Sequence, residues 1–437
     1  MKLKYIKIEN FRAIKELELP LHPQLTVLHG DNAAGKTALL DAIAVGLGSI
    51  LTHLPEVSGI KFKRHDLRQE TQEQKAPYIR VELTSDEDVQ WDRMERRDKT
   101  KHTAKKLPDT VGLKQLHAYL EAIINGVQDN QPVILPVIVY YGTERAVFSS
   151  TLETINRKKI KRFSALNEAL ESKANFRGAM EWFVTKESEE ARESKKRHDL
   201  SYKLDEIEIV RQAIEGTIKS CSNLRSELNP PRLLVDFQHK QHNKQPVTLE
   251  ISQLSHGFRT MLALVMDLAR RMAQANPHLK NPLHEEAIVL IDEIDLHLHP
   301  KWQQTVLPDL MQTFSKTQFI VTTHSPQVLS TVHKENIWLL EDCEELGICT
   351  YRSITEPYGA ESSEALHSLM HVDSRPQNLP EVKEYNRYIS LVNHGQYDSV
   401  EALELRSKLE KVLEKSQFNL ADMLIRKHHA LKKVSSS

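Results

Sequence analysis

The 437-residue sequence predicts an α/β fold built on a parallel sheet that carries a phosphate-binding loop. Three stretches predict it. Residues 25–28 are a short, mostly apolar run that His29 joins to Gly30-Asp31-Asn32-Ala33-Ala34-Gly35-Lys36-Thr37, a G-x-x-x-x-G-K-T sequence followed by helix formers. Residues 287–291 are a second apolar run and end in Asp292-Glu293. Residues 319–323 are a third and end in His324-Ser325-Pro326. Continuous β-branched runs suit strands buried on both faces of a parallel sheet.

In chain order, residues 4–8 alternate and read as a first strand, Asn10-Phe11-Arg12 follows, and residues 14–21 and 25–29 read as the next two strands. The loop and its helix run to about residue 51. A loop that leaves a strand and opens a helix aims several backbone N–H groups at one spot, at the positive end of the helix dipole. Lys36 is placed to reach the β/γ-phosphates and Thr37 to set its hydroxyl on Mg²⁺, with Gly30, Asp31, Asn32, Ala33, Ala34, Gly35 and Ala38 completing the cradle. The chain has only 14 glycines, so two of them framing one lysine is a specific signal. Residues 52–74 read as a charged loop and 78–83 as a strand closing the first lobe. Residues 92–106, with Arg93, Arg96, Arg97, Lys99, Lys101, Lys105 and Lys106, read as a solvated loop or, alternatively, as a nucleic-acid contact. Residues 134–141 read as a buried strand ending at Gly142-Thr143-Glu144-Arg145, where open α/β sheets place ligand-binding groups. Arg145 reads equally as a nucleotide-facing group and as half of an ion pair.

Residues 152–228 read as helical and highly charged, with a second basic run at Arg157, Lys158, Lys159, Lys161 and Arg162. Leu200, Leu204, Ile207, Ile214 and Ile218 share one helical stripe interrupted by Arg211, which predicts a short arm of two or three helices ended by Pro230-Pro231. Residues 233–237 and 247–251 return to strand character. Leu254-Ser255-His256-Gly257-Phe258-Arg259 then leads into an apolar helix over about 260–272. A serine N-cap followed by glycine lets backbone N–H groups approach an anion, though the same pattern suits an ordinary capped helix. The chain has one complete phosphate loop, so an anion at Ser255 and Gly257 is assigned to the site of another copy. Residues 337–340 read as the last core strand and 341–437 as mostly helical. The expected domains are an ATPase lobe over 1–150, a helical insertion over 151–230, a second ATPase lobe over 231–340 and a helical C-terminal extension over 341–437 that makes partner or oligomer contacts.

Phosphoryl transfer needs metal charge on the phosphates and a group that orients the nucleophile. Neighbouring residues on a strand face opposite ways, so Asp292 is expected to support Mg²⁺ while Glu293, at the strand end, turns to an attacking water. His324 is placed to hydrogen-bond the γ-phosphate and sense it. Asp295, His297 and His299 have metal-ligand spacing, but with Pro300 they read better as a loop between subunits, and His428-His429 reads as a basic tail. Lys and Arg number 59 against 60 Asp and Glu, which excludes a nucleic-acid binder driven by bulk charge. Cys221, Cys343 and Cys349 form no C-x-x-C pair, arguing against a disulfide scaffold, a zinc ribbon or a zinc hook. With no apolar leader at residues 1–5 and no membrane-length run, a soluble cytoplasmic chain is expected.

These residues together resemble the ABC-type ATPase heads shared by RecF, the SMC proteins, the double-strand-break repair ATPases and the overcoming-lysogenisation-defect proteins. Residues 30–37 look like Walker A, 288–293 like Walker B, 254–257 like the signature motif, His324 like the switch histidine and 295–300 like the D-loop. Asn10-Phe11-Arg12 is similar to a turn whose basic residue touches the phosphates, which implies that role for Arg12. The resemblance implies an ABC/SMC-type P-loop ATPase head in which two heads sandwich two ATP molecules, each site joining Walker A of one chain to the signature of the other. Ala33 stands where those heads usually carry Gly, and His256 and Phe258 replace residues of the transporter signature, so a transporter subunit is not expected. Gln69, Gln72 and Gln74 remain candidates for the Q-loop glutamine.

With Tyr140-Tyr141-Gly142-Thr143-Glu144-Arg145, the stretch 292–300 and the helical C-terminal segment, the sequence is also similar to the PtuA-type ATPases of Septu antiphage defence. That resemblance implies a slow regulatory ATPase that assembles above the dimer with a separate HNH nuclease of PtuB type and meets invader DNA or RNA through the complex. Residues 341–437 show no clear D-x-D after a strand, so nuclease activity is expected from another chain. A RecF-like DNA clamp and a scaffold that holds ATP as a structural ligand are the alternatives.

Overall fold

The computed structural model describes residues 1–71, 74–144, 161–172, 176–228, 231–238, 245–373 and 375–435. It divides into two compact units, Met1–Ala365 and Leu366–Ser437.

In the first unit, β1 (Leu3–Phe11) and β2 (Ile14–Pro20) pair antiparallel, burying Ile6, Ile8, Leu17 and Leu19 on one face as the alternation predicts. β3 (Leu25–Gly30) enters the phosphate loop and the helix Lys36–His53. β4 (Tyr78–Ser85) and β5 (Gln90–Arg96) complete a four-stranded antiparallel sheet in the order β2-β1-β4-β5. The start of the basic stretch is therefore strand, not solvated loop. Arg93 is held inside by the carbonyl oxygens of Val45 and Ile60, at 2.8 and 2.6 Å.

β6 (Val137–Tyr141) is the buried strand expected before Gly142. β7 (Cys221–Leu228), β8 (Pro231–Phe237) and β9 (Val247–Glu250) form a three-stranded antiparallel sheet. β10 (Ala287–Ile291), β11 (Gln318–Thr322), β12 (Ile337–Cys343) and β13 (Gly347–Arg352) complete a six-stranded sheet ordered β13-β12-β3-β11-β10-β6. All its pairings are parallel except β12 with β13. Every residue of β6, β10 and β11 is buried, which is why these strands are legible as unbroken apolar runs. Parallel packing brings the C-terminal ends of β3, β11, β10 and β6 to one edge, so the segments that follow them meet there.

The expected helical arm is shorter than its charge pattern suggested. Helices Arg177–Arg197 and Asp205–Thr217 are separated by a turn in which His198 is left-handed and Leu200 is 97% exposed, so the stripe does not run through. Ile207 and Ile214 are buried, and Arg211 between them is neutralised by Glu187 and Glu190. Residues 221–228, expected to be helical, are β7 because β8 supplies the pairing partner. The core does not end at residue 340 either: β13 follows, and Cys343 and Cys349 are disulfide-bonded across its turn, while buried Cys221 is free. One bridge closing a hairpin is not a disulfide scaffold, but it was not expected.

The second unit is helical as expected. Helices Pro380–Asn393, Val400–Leu409 and Asn419–Ser435 enclose Tyr385, Tyr388, Val392, Leu409 and Phe418. The histidine pair packs rather than ligates: the rings of His428 and His429 lie 6.0 and 5.0 Å from that of Tyr397. Among the described residues no helix is long and apolar enough to cross a membrane.

Candidate functional site

The phosphate loop starts where β3 leaves the sheet. Gly30 and Gly35 have φ of +149° and +86°, and a side chain on Gly30 would collide with the carbonyl oxygen of Leu340 in β12. Ala33, where the related heads carry Gly, is forced to φ +68°, a left-handed conformation that costs an L-residue about 1–2 kcal/mol. Lys36 is buried, and its Nζ donates to the carbonyl oxygens of Gly30 and Asp31 at 3.0 and 2.7 Å, spanning the loop. Burial lowers its pKa, partly offset by the carboxylates of Asp292, Glu293, Asp31 and Asp295.

The acidic strand end meets this loop. Thr37 Oγ1 donates to Asp292 Oδ2 at 2.8 Å, and Thr322 Oγ1 at the end of β11 donates to Asp292 Oδ1 at 2.6 Å. The Asp292 N–H donates to the Tyr141 carbonyl oxygen of β6, at 2.9 Å. Asp292 is thus fixed from two strands, β11 and β6, and from the first turn of the helix Lys36–His53 while 1% exposed. A hydroxyl and a carboxylate held side by side are hard oxygen donors, the set that Mg²⁺ takes alongside phosphate oxygens. Glu293 adopts φ +47°, and its N–H donates to Thr322 Oγ1 at 2.7 Å. The chain breaks out of the strand there, which sends the second carboxylate a different way from the first.

His324 follows β11, with its N–H 3.4 Å from Asp295 Oδ1, while Thr323 Oγ1 donates to the same oxygen at 2.6 Å. Gln303 bridges this loop to the one after Glu293, accepting from Ser325 Oγ at 2.8 Å and donating to the Leu298 carbonyl at 2.9 Å. Asp295 accepts from Thr323, the His297 ring packs on His256, and His299 Nδ1 accepts from the Lys301 N–H, so each has a partner within the protein.

Ser255 is the N-cap of the helix His256–Ala275, exposed and without a capping bond from its side chain. Gly257 lies so close to the loop after β10 that a Cβ there would strike the carbonyl oxygen of His297. The His256 and His297 rings meet edge to face at 4.1 Å, and burial, His297 and Arg259 hold His256 below the ordinary histidine range. The start of the helix His256–Ala275 and the loop after β10 therefore pack together.

Arg12 has partners within the protein. Its guanidinium pairs with Asp41 at 2.7 Å and Asp66 at 2.9 Å, so it ties the loop's helix to the 63–68 segment. Gln69 donates to the Thr71 carbonyl, and no Q-loop role emerges for it or for Gln74. Gln72, Arg145, Arg157, Lys158 and Lys159 lie outside the described residues. Arg162 bonds the carbonyl oxygens of Ala275 and Val133 and is structural, while Lys161 makes an exposed ion pair with Glu56. Sequence reasoning missed Thr322, Asp41 and Gln303, since single polar residues at strand ends and helix turns carry no spacing signal.

A family model described as an AAA domain matches residues 5–222. The "Retron Ec83 probable ATPase" of Escherichia coli is 30% identical, over 93% of this chain and 83% of that protein. The "Retron Vc95 probable ATPase" of Vibrio cholerae serotype O1 biovar El Tor is 26% identical, over 94% and 87%. "Septu protein PtuA" of Bacillus mycoides (strain KBAB4) is 31% identical over a shorter region, 37% of this chain and 23% of that protein. With its phosphate loop and acidic strand end assembled on one sheet edge, the chain belongs to the family of these retron ATPases, and over part of its length it is similar to the Septu protein PtuA.

Proposed function

We propose that this ATPase binds ATP with Mg²⁺ on residues 30–38 and hydrolyses it as the regulatory subunit of a cytoplasmic antiphage defence complex. Through ATP-dependent dimerisation of its heads it controls a separate HNH nuclease of PtuB type, which acts on invader DNA or RNA. The observation that carries the ATP site is the junction of Thr37, Asp292 and Thr322. Relatives named for retron and Septu systems support the defence setting.

The loop's N–H groups and Lys36 hold the phosphates, Lys36 by exchanging its carbonyl partners Gly30 and Asp31 for phosphate oxygens. Thr37 and Asp292 hold Mg²⁺, which when bound neutralises charge on the phosphate oxygens. Glu293 orients the attacking water and accepts its proton, and Thr322 fixes both carboxylate-bearing residues for that task. His324, beside Asp295, contacts the γ-phosphate. Arg12 acts as a positioning residue through Asp41. Ser255 and Gly257 serve the nucleotide of a second copy: the serine hydroxyl is exposed and the helix N-terminus favours an anion.

Native mass spectrometry of the tagged chain recovered from its own host with ATP and Mg²⁺ tests this. A multimer carrying a small second protein with an HNH motif is expected. A bare dimer that retains DNA would replace the reading with a RecF-like clamp.

A further inference from the structure

A cleft of about 380 Å³ lies between the end of β8, the start of the helix His256–Ala275 and the segment 299–309. Its wall is a continuous run of three half-buried rings from three segments: Phe237 at the end of β8, Phe258 in the first turn of the signature helix and Trp302 in the short helix Pro300–Gln303. The ring centres of Phe237 and Phe258 are 5.1 Å apart, and those of Phe258 and Trp302 4.5 Å. Apolar rings gathered at a surface normally close over one another; here they line an opening large enough for a small planar molecule.

The rim decides the chemistry. Lys219 and Lys301 both line the cleft. The one carboxylate among the lining residues, Asp309, is neutralised by Lys219 at 2.8 Å, which leaves exposed Lys301 as the uncompensated charge. Ser220, Thr305 and Gln238 add neutral hydrogen-bonding groups. Phe237 stands edge-on to Phe258 at 86° and Trp302 is tilted 36° from Phe258, so the wall is stepped, and one indole face with a cation beside it matches a flat ring that carries an anion. We propose that this cleft binds a nucleobase with its phosphate attached, the ring stacked on Trp302 and the phosphate at Lys301. Neither the phosphate loop nor Ser255 and Gly257 line it, so it is distinct from both halves of the proposed ATP site. The same chemistry is offered by a free mononucleotide and by a base in a single strand.

Tryptophan fluorescence of the full chain tests this in a Lys36→Ala background, which removes nucleotide bound at the phosphate loop from the signal. The probes are thymidine 5′-monophosphate and a single-stranded thymidine oligonucleotide of about ten residues. The expected result is saturable quenching by one or both, abolished in Trp302→Phe, which keeps a ring but removes the reporter. Trp302→Ala, which also lacks the reporter and is read by fluorescence anisotropy of the end-labelled oligonucleotide, should weaken binding about fivefold or more, the loss of one stacked base. Lys301→Glu, an exposed change that leaves the fold intact, should weaken binding and lower the salt slope of oligonucleotide affinity by about 1. Quenching by both probes points to a free nucleotide as a sufficient ligand, and quenching by the oligonucleotide alone points to a strand. No quenching by either, or quenching that persists in Trp302→Phe and ignores Lys301→Glu, overturns the assignment.

Discussion

Asp267, in the middle of the helix His256–Ala275, is 2% exposed and carries a buried charge network. Its two oxygens accept from Arg270 Nη2 and Arg271 Nε, both at 2.7 Å, and Oδ2 also accepts from the Tyr141 hydroxyl at 2.9 Å. Arg271 reaches on to the carbonyl oxygens of Ala165 and Asn167. Tyr141 ends β6, and its own carbonyl holds the N–H of Asp292, so the network joins the signature helix to the acidic strand end. Asp267→Asn leaves two buried guanidiniums without a counter-charge, and breaking a buried pair in this way costs about 3–5 kcal/mol. Tyr141→Phe removes one hydrogen bond to a charged group, about 1.5–3 kcal/mol. Burial alone would raise the Asp267 carboxyl, but Arg271 and Arg270 bring it from 3.8 down to about 2. The folded pKa lies below the unfolded one, so this stabilisation is fully present above about pH 4 and is lost as pH falls through about 2, on the order of 2 kcal/mol in all. Urea unfolding at neutral pH, read as a shift of midpoint at constant slope, measures both substitutions. An Asp267→Asn loss below about 1 kcal/mol, or one smaller than that of Tyr141→Phe, would refute the reasoning.

Glu293→Gln should keep ATP affinity and slow hydrolysis about a hundredfold or more, as measured by phosphate release, since the carbonyl cannot accept the water's proton. Thr322→Val removes the donor to Asp292 Oδ1 and the acceptor for the Glu293 N–H; turnover should fall about tenfold or more with a smaller change in KM, seen in steady-state kinetics. Arg12→Ala frees Asp41 and Asp66 and should cost about 1–3 kcal/mol in thermal unfolding, with weaker ATP affinity following from the displaced helix.

The parts of the fold legible in the sequence are those that a single segment specifies. β3, β10 and β11 are apolar on both faces because the sheet buries both, and their ends name the phosphate loop, Asp292-Glu293 and His324 without help from distant residues. Elements that depend on a partner were not legible. Residues 221–228 are too polar to announce a strand and become one by pairing with β8. Residues 198–204 continue a helical stripe on paper, but His198 takes a left-handed turn and Asp199 accepts from Ser201, which breaks the helix. Arg12 illustrates the same limit inside the site: its residue type suits a phosphate, and only the positions of Asp41 and Asp66, brought in by the fold, show where its charge is spent.

The central claim, that each ATP site joins the phosphate loop of one chain to the signature of another, is tested most directly by mixing two inactive variants. Lys36→Ala removes the phosphate grip, and Ser255→Arg blocks the exposed signature cap without touching the core. Each alone should be inactive. Mixed in equal amounts with random pairing, half of the dimers are mixed and each holds one intact composite site, so about a quarter of wild-type ATPase activity should return. Activity in the mixture that stays at the level of the separate variants, or full activity of Ser255→Arg alone, would contradict it.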